Sequence, residues 1–204
     1  MRMFGYFVVL ILLPACCLAQ LQPKVGGPCQ GCEAIHEYGN RQLTSIDTLS
    51  GFSDTEPKLK IYGTVFQQDG HTPAENVILY IYQTNRAGIY EVKGNETGWG
   101  RRHGHFRGWV KTAADGKYTF YTFRPGAYPN GREPQHIHLI VKEPDKNEYY
   151  LDSYLFTDDP MLTTAARADQ NNRGGSGIVT LETHGELFIA KRNIILGLNI
   201  PHYD

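Results

Sequence analysis

The chain predicts an all-β fold, an Ig-like or prealbumin-like β-sandwich preceded by an N-terminal arm, and three observations predict it. Short apolar runs with period-two alternation recur across residues 56–204. Turn-forming residues punctuate them, with 22 Gly and 11 Pro. Helical periodicity is scarce, while tyrosine, a strand-favouring residue, occurs 13 times. At 204 residues the chain has room for one well-packed domain with a decorated arm. Lys+Arg (20) nearly balance Asp+Glu (21), so nothing argues for a nucleic-acid or polyanion surface.

The strands follow in order. Residues 59–66 alternate cleanly and end before the Asp69-Gly70 turn. Residues 77–82, Val-Ile-Leu-Tyr-Ile-Tyr, are apolar enough for a central strand. A turn at 85–88 leads to Tyr90, and residues 93–104 form a Gly, Arg and His-rich loop long enough to be a rim or lid. Residues 106–110 and 117–123 read as strands, with Asp115-Gly116 between them as a hairpin signal. The run from His136 into Leu-Ile-Val is a strand, and residues 149–156 are another. Residues 163–169 are the best helix candidate. Segments 178–181, 185–190 and 193–196 supply the last strands, and no internal repeat is present.

The first 19 residues read as a signal peptide. Arg2 precedes an apolar run over 4–13, and Cys17-Leu18-Ala19 offers a small-residue cleavage site before Gln20. The expected location is therefore secreted or periplasmic, within the cell envelope. The rival is a lipid anchor on Cys16 or Cys17, which Pro14 fits poorly. Residues 20–55 read as the arm. Cys29 and Cys32 lie within it as a C-x-x-C; with no second cysteine pair to complete a zinc site, the pair is expected to be a disulfide staple.

Chemistry concentrates in Tyr128-Pro-Asn-Gly-Arg-Glu-Pro-Gln-His136-Ile-His138. On a strand, His136 and His138 project from one face, roughly 6–7 Å apart, close enough to reach one metal ion. A satisfied pair of core histidines is the plain alternative. His103 and His105 form a second His-x-His on a Gly-broken loop and read as a polar rim, while His36, His71, His184 and His202 read as surface residues. Phenol oxygens are poor ligands for zinc or copper near neutrality, because their protons leave only near pH ~10. A ferric ion reverses this, since a hard trivalent cation prefers anionic oxygen. Two tyrosinates and one hydroxide would cancel its charge. Tyr128 can turn back toward the histidines, and Tyr90, after the 85–88 turn, is the second candidate. Tyr118, Tyr121, Tyr149 and Tyr150 lie within strands and read as packing residues.

From about residue 59 to 160 the ordered motifs resemble the intradiol ring-cleavage dioxygenases, the protocatechuate and catechol dioxygenases among them. They are Tyr82-Gln-Thr-Asn-Arg-Ala-Gly88-Ile-Tyr90, Phe106-Arg-Gly-Trp-Val110, Asp115-Gly-Lys-Tyr118, Pro125-Gly-Ala-Tyr128-Pro129, Pro134-Gln-His136-Ile-His138 and Asp159-Pro160. The resemblance implies a β-sandwich holding non-haem Fe(III) through Tyr90, Tyr128, His136 and His138. It implies a catechol substrate and O2, with cleavage between the two hydroxyl-bearing carbons to a cis,cis-muconate-type diacid. Tyr128 would be the axial ligand that leaves on substrate binding and takes up a proton, and Tyr90 would stay. No organic cofactor is implied. Around the substrate the pattern departs. Glu133 stands where the family usually has arginine, with Arg132 one residue earlier. Arg124 is another candidate cation. Ser153 replaces a frequent glutamine, and Tyr82 a frequent tryptophan. A carboxylated catechol would be repelled by Glu133, so a neutral or cationic catechol is expected. Two other readings compete: a secreted β-sandwich binding module without turnover, and a zinc or copper site built from His103, His105, His136 and His138. The sequence carries no sign of oligomeric state.

Overall fold

A computed structural model describes residues 23–204; the signal-peptide and lipid-anchor expectations, with Cys16 and Cys17, lie outside the described residues. Strands β1 (Ile46–Thr48), β2 (Lys58–Phe66), β5 (Lys117–Phe123), β9 (Leu181–His184), β10 (Leu187–Lys191) and β11 (Ile194–Ile195) form one sheet. Its order is β1-β5-β2-β10-β9, with β11 also on β2. The second sheet runs β4 (Arg107–Lys111), β3 (Ile78–Tyr82), β6 (His136–Lys142), β7 (Tyr149–Phe156) and β8 (Ile178–Val179). Two short helices, α1 (Gly100–His103) and α2 (Thr164–Ala168), and a 3-10 helix at Cys32–His36 complete a mostly β, two-sheet fold. The helix expected near 163–169 forms, with Thr163 Oγ1 accepting from the Ala166 N–H at 3.2 Å as its N-cap.

The core lies between the sheets. Leu59, Ile61, Val65 and Phe120 face Leu79, Ile81, Ile137, Leu139 and Val141, all buried. Period-two alternation then sends Tyr80, Tyr82, His136, His138 and Ile140 to the opposite, outer face of the second sheet. That face is covered by the arm. Its 3-10 helix packs Cys32, Ala34 and Ile35 onto Tyr80, Trp109 and Ile140 in a second buried cluster.

One expectation needs correction. Asp115-Gly116 is a turn, with Gly116 at φ 66°, but not a hairpin: β4 pairs with β3, whereas β5 pairs with β2. The dipeptide sets the local bend, and burial of β5 against β2 decides which sheet it joins. The arm carries the expected disulfide and adds one strand. Its β1 is a parallel edge strand on β5, and Cys29–Cys32 is a closed disulfide at its turn.

Candidate metal centre

Four side chains converge at one end of the outer face. Tyr90 Oη lies 2.5 Å from Tyr128 Oη and 2.7 Å from His138 Nε2. His136 Nε2 lies 3.1 Å from Tyr128 Oη and 3.2 Å from His138 Nε2, and Tyr128 Oη is 3.3 Å from His138 Nε2. Oxygen and nitrogen donors about 2.0–2.2 Å from one small metal ion stand roughly 3 Å from each other. These separations fit that requirement.

Local sequence explains the convergence. Gly88, at φ 78°, packs so close to Ala127 that a Cβ would lie 1.9 Å from its carbonyl oxygen. Gly126 N–H donates to Asn85 O at 2.9 Å, and Thr84 Oγ1 donates to Gly126 O at 2.8 Å. The loop of Tyr90 is thereby stitched to that of Tyr128. The two histidines come from the start of β6. Gln135, just before them, is held by the Asp159 carboxylate on its N–H at 2.6 Å and by Arg124 Nε on its side chain at 2.6 Å.

Ring tautomers are set from behind. His136 Nδ1–H donates to Pro134 O at 2.7 Å, which leaves the Nε2 lone pair facing the other donors. His138 Nδ1 lies 3.5 Å from Ser153 Oγ, across a one-residue register shift between β6 and β7. Bulges of this kind re-aim a side chain, and here one brings Ser153 to a ring edge. Burial holds the Tyr90 phenol well above its ordinary range, reinforced by Tyr128, and raises Tyr128 as well, with Glu133 adding to it. Removal from water, then His136 and His103, keep His138 in its neutral form. Two imidazole Nε2 atoms and two phenols that only a strong cation could ionise are a donor set suited to a hard, highly charged metal.

The remaining predicted residues separate. Arg124 pairs with Asp158 through both Nη atoms at 2.7 and 2.9 Å and does not line the cavity beside the histidines. Arg132 and Glu133 both line a cavity of about 500 Å³ that opens on His136 and His138. Strand alternation would have put them on opposite sides, but residues 130–134 form a turn rather than a strand. Ser153 lines the same cavity. Tyr150, expected to be packing, is 39 % exposed and lines it too.

Sequence reasoning missed His103. It is 6 % exposed, not a rim residue. Its ring stacks on Tyr82 at 3.8 Å and 6°, and Tyr82 stacks in turn on His138 at 4.4 Å and 14°. Its Nδ1 bonds Tyr80 Oη at 2.9 Å, and burial pushes its pKa down to about 4. Tyr82 stands directly opposite His138 in the β3–β6 register, so the contact is an ordinary cross-strand pair. Two outward tyrosines on an apolar strand, calling for a cover, were the available signal. His105 turns away to Ser50 and Glu91. With Tyr82 between His103 and His138, the four histidines do not converge on one ion, which removes the zinc or copper site. Among the described residues no group of three or more His, Cys, Asp or Glu could hold a metal. His36, His71, His184 and His202 are exposed, as expected.

Comparison with known proteins agrees with this geometry. A family model described as Dioxygenase matches residues 33–174, starting inside the arm. The protocatechuate 3,4-dioxygenase beta chain of Burkholderia cepacia is 29% identical, the match covering 61% of this chain and 58% of that one. This chain thus spans a little over half the length of that relative. The dioxygenase domain of a dioxygenase–carbohydrate-binding fusion from Streptomyces sp. SirexAA-E superposes with a TM-score of 0.59 at 25% identity, over 78% of this chain and 94% of that one. Catechol 1,2-dioxygenase from Acinetobacter sp. ADP1 shares the fold, with a TM-score of 0.56, 20% identity and coverage of 75% and 57%. With the family model spanning well over half of the sequence, the chain belongs to the intradiol ring-cleavage dioxygenases.

Proposed function

We propose that the protein is a non-haem Fe(III) intradiol dioxygenase that opens a catechol-type ring with O2 between its two hydroxyl-bearing carbons. The convergence of Tyr90 Oη, Tyr128 Oη, His136 Nε2 and His138 Nε2 carries this reading. These four would hold the metal, with two phenolates and neutral imidazoles balancing most of its charge. When bound, ferric ion supplies the electron withdrawal that lets a catecholate ring carbon react with O2, the product being a cis,cis-muconate-type diacid. The protein's own part is binding, orientation and proton management. Tyr128 sits on the turn closed by Gly131 N–H to Tyr128 O at 2.9 Å. Its Oη would take a proton from an incoming catechol hydroxyl. Tyr90, packed against the ring of Tyr82 at 5.8 Å, would remain in place as a ligand. Ser153 and the Pro134 carbonyl keep both imidazoles aimed inward. The cavity of about 500 Å³ beside the histidines is the substrate's place, with Glu133 and Arg132 at its edge.

The two-sheet architecture supports grouping the domain with Ig-like or prealbumin-like sandwiches. Export to a secreted or periplasmic location is supported by the closed Cys29–Cys32 disulfide. The test of function is iron analysis with a visible spectrum, then oxygen uptake on catechols. About one iron per chain and a broad tyrosinate-to-Fe(III) band are expected, the band lost or shifted in Tyr90→Phe or Tyr128→Phe. A colourless, iron-free protein after ferric reconstitution would overturn the proposal.

A further inference from the structure

The arm does more than cover the outer face. A second cavity, of about 180 Å³, lies between Pro28, Cys29 and Gln30 of the arm and Tyr82, His138 and Tyr150 of the sheet. It shares His138, Tyr150, Leu151 and Ser153 with the larger cavity, so the two adjoin at the proposed metal ligand. The loop that walls it lies before residue 33, outside the stretch that matches the family.

That loop is a fixed wall. Upstream, Gly26 N–H donates to Pro201 O at 2.7 Å, and Arg173 Nη2 donates to Gly26 O at 2.6 Å. Downstream, Cys32 is 1 % exposed within the cluster on Tyr80 and Trp109. Between them the Cys29–Cys32 disulfide closes the turn. Gly31, at φ 87°, lies against His103, where a Cβ would stand 2.9 Å from Nε2. The loop is therefore tied at both ends and seated on the ring stack that backs His138.

The two cavities differ in chemistry. The larger is bordered by Arg132, Glu133, Asp152 and Asp169, whereas no Asp, Glu, Lys or Arg lines the smaller. Its walls are proline, disulfide, aromatic ring and aliphatic side chain, with the Gln30 amide and Ser153 hydroxyl as neutral hydrogen-bonding groups. A charged substituent placed there would lose water without gaining a partner. An uncharged one would gain apolar contact.

We propose that the disulfide-closed loop at residues 28–32 is a specificity wall, forming with β6 and β7 a neutral subsite for the ring substituent of an uncharged, substituted catechol. This rests on the ring-cleavage function proposed above. A subsite of this kind discriminates by about tenfold or more per apolar group accommodated. The experiment compares kcat/KM for 4-methylcatechol, catechol and protocatechuate in the iron-loaded full chain. The wild type is expected to favour 4-methylcatechol over protocatechuate by at least about tenfold. Gln30→Trp, which fills the subsite, is expected to lower the ratio of 4-methylcatechol to catechol by about tenfold. The double change Cys29→Ser with Cys32→Ser, which frees the loop, is expected to lower that ratio in the same direction. A ratio unmoved in both variants, or an equal fall for both substrates, overturns the subsite. Failure of the parent reading looks different: the wild type would then show no ferric tyrosinate band.

Discussion

Replacing His103 by leucine separates the contribution of the ring stack from that of the proposed metal ligands. His103 touches none of the four donors, yet its ring lies 3.8 Å from Tyr82, which lies 4.4 Å from His138. Leucine keeps most of the volume and removes two things. Tyr80 Oη, fully buried, loses its Nδ1 partner at 2.9 Å and keeps only the Arg107 guanidinium, and one lost hydrogen bond costs about 0.5–1.5 kcal/mol. The parallel contact with Tyr82 is also lost, at about 0.5–1.5 kcal/mol. The sum is about 1–3 kcal/mol, a shift of roughly 5 °C in Tm for a domain of this size. Tyr82 would then gain freedom to tilt, and His138 with it. Groups that orient a ligand from outside change metal affinity about 10–100-fold, and His103, one ring further out, belongs at the lower end. Calorimetry of the iron-free protein reads the first effect, and competition with a ferric chelator reads the second. A Tm within 1–2 °C of wild type together with unchanged iron affinity would refute the reasoning.

Three other outcomes follow from separate observations. Gly88→Ala places a Cβ 1.9 Å from Ala127 O at φ 78°, so it is expected to cost at least about 2 kcal/mol and weaken the tyrosinate band; a wild-type spectrum and melt would show that the two loops are not held by this contact. Glu133→Gln is expected to raise the efficiency with protocatechuate relative to catechol about two- to fivefold, an effect shrinking in high salt; steady-state rates at two ionic strengths check it, and no change at low salt would count against repulsion by Glu133. Burial raises the phenol pKa of Tyr80, Tyr118, Tyr149 and Tyr154. The folded state therefore holds protons that the unfolded chain releases near pH ~10, so stability is intact below that pH and falls as pH rises through it. About 1 kcal/mol per tyrosine by pH 11 amounts to several kcal/mol, and thermal melts at pH 9 and pH 11 should differ strongly; equal melts would refute it.

Much of the fold and most of the centre were legible in the chain because they obey local rules. The limits of β2, β5 and β7 follow from alternation and turn residues to within one residue. His136 and His138 share a face because strand side chains alternate, and that rule holds even beside the register shift at Ser153. Partner choice was less legible, since it depends on what is buried against what. Asp115-Gly116 bends the chain as a hairpin would, while β4 and β5 enter different sheets. The alternation that placed both histidines on one face also left open whether that face was the core or the outside.

That open question explains the largest omission. A metal centre on the outer face of a sheet needs a cover, because its rings would otherwise stand in water and its phenols would not be held where a cation must ionise them. The cover comes from segments with almost no periodic signal. Residues 28–36 supply Cys32, Ala34 and Ile35, and α1 supplies His103 from a Gly-broken loop. Such segments are specified by what they meet, here Tyr80, Tyr82 and Trp109, rather than by their own pattern. The two outward tyrosines of β3 were therefore the informative residues. A strand with aliphatic side chains on one face and aromatic rings on the other has to be covered on both, and the second cover brought the arm, its disulfide and His103 to the proposed ligands.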